Sequence, residues 1–134
     1  MNGIYEFVLR GGQRITAGAM NEFQRKIPFV KVKAETINVP EFPLLPEQIR
    51  FLARYLEDVL EGAYASEDLS AVSETVFALG YLMQDIDIIP DSVPGKGYAD
   101  DAAVLKAVLH SHEAEFEKFA ANNGLNYKSL ADKV

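Results

Sequence analysis

From residue 46 onward, apolar positions recur every three to four residues, a spacing that predicts helices. Ile49, Leu52, Ala53, Leu56, Val59, Leu60 and Ala63 form one unbroken stripe. Pro46 stands at a first helical position, where its missing N–H costs nothing, and Glu47 follows in the first turn. Leu69, Val72, Val76, Leu79 and Met83 define the next helix, with Ser66 or Asp68 as its cap. Gly80, on that apolar face, offers room for close helix approach. Asp100 and Asp101 start a longer helix with Leu105, Val108, Leu109, His112, Phe116 and Phe119 along one side. Asn122-Asn123-Gly124 stops it, Gly124 being suited to the left-handed position after a helix. A last short helix over 127–133 can dock Leu125 and Leu130.

The first third reads differently. Ile15, Ala19, Phe23 and Ile27 recur every four residues and predict one helix that ends at Pro28. Phe29 to Val39 then alternates loosely, Val30 and Val32 against Lys31 and Lys33, which suits an extended stretch or a short edge strand. Pro40, Pro43 and Pro46 rule out a helix between them. The whole pattern predicts an all-α fold, a compact bundle of about four to five helices with an irregular or extended N-terminal arm. Residues 1–45 are the arm, with one short helix and a Pro-rich linker. Residues 46–134 are the helical part, and the two form a single domain overall.

Composition narrows the partners. The chain has 134 residues and a net charge of −7, which argues against a nucleic-acid surface built from clustered Lys and Arg. The charge is uneven: residues 1–33 carry +4 and the remainder −11. A basic arm laid across an acidic body, its own or a neighbour's, follows from that asymmetry. Contact with anionic lipid or RNA is the sharper alternative, so peripheral membrane contact stays open. No run approaches the roughly 18 apolar residues of a membrane span. Met1 to Gly12 places Glu6 and Arg10 around a brief apolar patch and lacks a cleavage site, so no secretory signal is expected. There is no cysteine, which fits a reducing compartment and an expected cytoplasmic location.

The segment from Asp85 to Asp101 packs five carboxylates, two prolines and two glycines between helical stretches. Ile86, Asp87, Ile89, Pro90, Asp91, Val93, Pro94, Gly97, Tyr98, Asp100 and Asp101 carry a motif that resembles the YkvA-like family, domain of unknown function 1232. The likeness is sharp over 85–101 and loose over about 49–110. It implies a small helical domain, mostly bacterial, with no settled activity, cofactor or catalytic set. Its family-typical aspartates are Asp87, Asp91, Asp100 and Asp101.

Read from the residues, every motif position has a scaffolding role. Asp100 and Asp101 offset the positive end of a helix, and Asp87 and Asp91 can cap the turn around Pro90. Ile86 plugs the core, Pro90 and Pro94 limit the freedom of the unfolded loop, and Gly97 permits close approach beside Tyr98. The functional alternative brings Asp87, Asp91, Asp100 and Asp101 together as an oxygen-rich site for Mg²⁺ or Ca²⁺. An EF-hand is rejected, because Ile89 and Pro90 replace a ligand and the glycine, and Lys96 falls where the bidentate Glu belongs. Gly95-Lys96-Gly97 lacks the first glycine and the hydroxyl of a phosphate loop. His110 and His112 are two apart and cannot chelate together on a helix.

No catalytic residue, cofactor fingerprint or nucleophile elbow is visible. The expected function is therefore binding of a protein partner or of a second copy, with the motif loop and His112, Phe116 and Phe119 as contact surfaces. The alternative is a divalent-metal-binding regulator or metal-dependent hydrolase centred on the loop aspartates.

Overall fold

A computed structural model of the chain describes residues 2–84 and 98–130. Among these the fold is all-α, as the periodicity predicts. The helices are α1 (Asn2–Gln13), α2 (Ala17–Phe23), α3 (Ile27–Thr36), α4 (Leu45–Leu60), α5 (Leu69–Gln84), α6 (Ala99–Ser111), α7 (Glu113–Asn122) and α8 (Tyr127–Leu130). A 3₁₀ turn over Gln24–Lys26 joins α2 to α3. No described helix is long and apolar enough to cross a membrane.

The middle of the chain follows its stripe except at Leu69, expected to be buried but 71% exposed, and at Ala63, which is exposed beyond the end of α4. Pro46 lies in the first turn of α4, which buries Leu45, Ile49, Leu52, Ala53 and Leu56. Asp68 caps α5, its Oδ1 accepting from the Ala71 N–H at 3.1 Å. α5 is apolar on most sides because it is central: it packs against α1, α2, α4 and α6. Its Ala71, Val72, Val76, Ala78, Leu79 and Leu82 are all buried. At the C-terminal end Gly124 takes φ +67°, and the Leu125 N–H reaches back to the Ala120 carbonyl at 2.8 Å.

The N-terminal region departs from expectation. It is helical and belongs to the core, with Val8, Phe23, Ile27 and Val30 buried in the same cluster as Leu52 and Leu79. Residues 29–36, expected to be extended, lie in α3, and Pro28 opens this helix rather than closing the one before. The Val–Lys alternation misleads because the positions that matter are Ile27, Val30 and Ala34. Their three-to-four spacing buries them, and α3 packs along α4. α1 escapes notice for the opposite reason, since Gly11 and Gly12 look like breakers. They are instead where α1 meets α5. A Cβ on Gly11 would overlap the Phe77 ring, and one on Gly12 would lie 2.5 Å from Glu74 Cγ and 3.3 Å from its Cα. The close approach assigned to Gly80 therefore belongs to this pair, because a Cβ at Gly80 meets only Phe23 at an ordinary 3.8 Å.

The predicted long helix after Asp101 is two helices. It breaks at His112 (φ −128°, ψ 41°), and α7 turns back so that Phe116 and Phe119 pack edge-on against Phe51 and Tyr55 of α4. Of the expected terminal helix, 127–130 is helical and the rest lies outside the described residues.

Candidate functional site

α5 and α6 pack against each other as a hairpin whose two ends each gather polar side chains. At the end nearer residues 84 and 98, Tyr98 stands at the N-cap of α6 without a side-chain cap bond and packs onto the core. Asp100 and Asp101 occupy the first turn of α6, where their charge faces the positive end of the helix. The Tyr81 hydroxyl, from α5, donates to Asp100 Oδ2 at 3.2 Å. The other motif positions, Ile86, Asp87, Pro90, Asp91, Pro94 and Gly97, lie outside the described residues. Among the described residues no group of three or more His, Asp or Glu side chains is placed to hold a metal ion.

At the opposite end His112 is clamped between two carboxylates. Its Nδ1 is 3.0 Å from Asp68 Oδ2 and its Nε2 is 2.9 Å from Glu74 Oε1. Glu74 is only 4% exposed, inside the α1–α5 contact. Burial by itself lowers the imidazole pKa, but the Glu74 hydrogen bond and charge, with those of Asp68, outweigh it and raise the value above the ordinary range. A doubly hydrogen-bonded imidazolium is the species that satisfies both anions.

The polar chain continues past Asp68. The Asp68 N–H donates to Ser66 Oγ at 3.1 Å, and Ser66 donates to Glu115 Oε2 at 2.7 Å. Tyr55 donates to the same oxygen at 2.9 Å, and burial pushes its hydroxyl pKa far above the usual range. Tyr55, Ser66, Asp68, Glu74, His112 and Glu115 thus form one network drawn from three helices, the loop before α5 and the break before α7. Its chemistry is self-contained. Both imidazole nitrogens are committed to carboxylates, and the Ser66 proton goes to Glu115, so the imidazole has no nitrogen facing a hydroxyl as a general base would.

The contact surface expected at His112, Phe116 and Phe119 is corrected by this arrangement. Phe116 and Phe119 are wholly buried, and His112 is enclosed by its partners, because the break turns α7 into the core. Glu74, Glu115 and Tyr55 were missed by sequence reasoning. A lone carboxylate in the otherwise small and apolar run Ala71-Val72-Ser73-Glu74-Thr75-Val76 was the available signal for Glu74.

A groove of about 480 Å³ runs between α2, the 3₁₀ turn and α5. Ile15, Phe23, Val76 and Phe77 give it an apolar lining, with Tyr81 also on its wall. Glu22, Arg25 and Lys26 supply its charged groups, and all three side chains are exposed.

Residues 72–107 match the model of a family described as a protein of unknown function (DUF1232). The match takes in Glu74, Tyr81 and the start of α6, and stops short of His112. No curated protein and no solved structure matches the chain.

Proposed function

Since residues 72–107 assign the chain to the DUF1232 family, whose function is unknown, we propose that it is a non-enzymatic helical domain that acts by binding a protein partner or a second copy of itself. The groove between α2, the 3₁₀ turn and α5 carries this reading. Its volume of about 480 Å³ and apolar lining suit a few inserted side chains of a partner helix or strand. Arg25 and Lys26 on its edge favour a segment with carboxylates beside its apolar residues. The polar network at His112 supports the same reading from the other side, because its hydrogen-bonding groups are spent on one another and hold the bundle together.

Ala19→Trp, on the groove wall, tests the reading by filling the space. Light scattering after size exclusion and affinity capture from a native extract report the outcome. The wild-type chain is expected to run as a dimer or to recover a protein, and the filled variant to lose that association with an unchanged melting temperature. A strict monomer that recovers nothing, or an association indifferent to the tryptophan, sinks the proposal.

A further inference from the structure

The outer face of α3 carries two of the most exposed large apolar side chains of the described residues, Phe29 at 64% and Val32 at 60%. The opposite face, with Ile27, Val30 and Ala34, is buried, and the helix packs along α4. At helical spacing Arg25, Phe29 and Lys33 fall in one row, with Lys26 and Val32 beside it. Arg25 and Lys26 are exposed and Lys33 is half-buried, while Lys31, on the flank, is held by Glu57 at 2.7 Å. Glu22 and Glu35 are the acidic neighbours along residues 22–36, so the local balance stays cationic.

From this geometry we infer that the 3₁₀ turn and α3 form a shallow docking face for an anionic phospholipid bilayer. Phe29 and Val32 enter the interfacial region, and Arg25, Lys26 and Lys33 meet lipid phosphates. Size selects a bilayer over a protein. Two such side chains offer roughly 200 Å² of apolar surface, far below the about 800 Å² per partner of a stable protein interface. A convex ridge two residues wide needs no matching cavity in a fluid bilayer. Charge selects the orientation. Residues 1–33 carry +4 against −11 for the remainder. Screening over about 8 Å at physiological salt weakens the pull or push of charges farther off, so the cations on this face act mainly on what it touches. An approach by this basic face is then attractive. The inference is independent of the groove: Phe29, Val32 and Lys33 do not line it, although Arg25 and Lys26 border both.

Cosedimentation of the full chain with phosphatidylcholine vesicles, with and without phosphatidylserine, is the test. Binding is expected to the phosphatidylserine vesicles only, and to weaken as salt rises. Phe29→Glu with Val32→Glu should abolish it, and Lys33→Gln should weaken it about fivefold. Ala19→Trp should leave it intact, which separates this inference from the groove reading. Circular dichroism checks that the variants fold. The inference is overturned if the chain ignores phosphatidylserine vesicles or if the double variant sediments like wild type. A wild-type dimer that this same variant dissolves would also overturn it, by making the face a protein contact.

Discussion

The two ends of the α5–α6 hairpin use polar side chains in opposite ways. At the end bordering the motif, the Tyr81 hydroxyl reaches the half-buried Asp100 at the start of α6. At the other end, six side chains from distant parts of the chain close into a network around His112. The first arrangement is local chemistry, in which carboxylates sit where a helix begins. The second is long-range, because Glu74 and Glu115 have no reason to be buried until three helices meet. A recognisable motif therefore marks one end, while the coupled groups around His112 lie where no motif announces them.

The most direct way to break the comparison is His112→Ala. It leaves Glu74 buried without its cation, so a loss of about 3–5 kcal/mol is expected in urea or thermal denaturation. A cost under about 1 kcal/mol would mean that the clamp contributes no more than an exposed pair.

The pH dependence comes next. The folded pKa of His112 is raised, so its contribution is fully present below the unfolded imidazole value near 6.5 and is lost as pH rises through the higher folded value. Urea midpoints should fall across that window in the wild-type chain and lose that component in His112→Ala. A wild-type midpoint that rises over the same window would reverse the sign and refute the imidazolium.

Tyr81→Phe probes the other end. Loss of one 3.2 Å hydrogen bond to a half-buried carboxylate should cost about 1 kcal/mol or less. If this change matches His112→Ala in cost, the two ends are energetically alike and the contrast fails. The smallest effect is expected at Tyr64, whose hydroxyl is buried beside the Tyr55 ring with no hydrogen-bond partner among the described residues. Tyr64→Phe removes an unsatisfied group and should be neutral or stabilising by up to about 1 kcal/mol. A clear loss of stability would reveal a partner for that oxygen.

Much of the fold was legible because α4 and α5 write their packing into their sequences. Leu52, Leu56, Val72, Val76 and Leu79 repeat at helical spacing, and Pro46, Asp68 and Gly124 punctuate their ends by local backbone rules. α1 and α3 were harder. Gly11 and Gly12 resemble breakers until Phe77 and Glu74 are seen against them, and the Val–Lys alternation of α3 imitates a strand until α4 is there to bury Val30. Of the candidate site, Asp68 was readable as a cap and His112 as an odd member of an apolar stripe. Their meeting was not readable, because the residues involved are 44 positions apart.

By itself, then, the chain's order of residues determined what depends on near neighbours: helical periodicity, caps, stops, the charge asymmetry and the family motif. Only the tertiary structure decided which polar groups would be buried together, where α6 would yield to α7, and which apolar side chains would stay outside. Helical geometry is settled within a turn or two of the backbone. The burial of Glu74 and Glu115, and the exposure of Phe29 and Val32, are settled by what packs across from them.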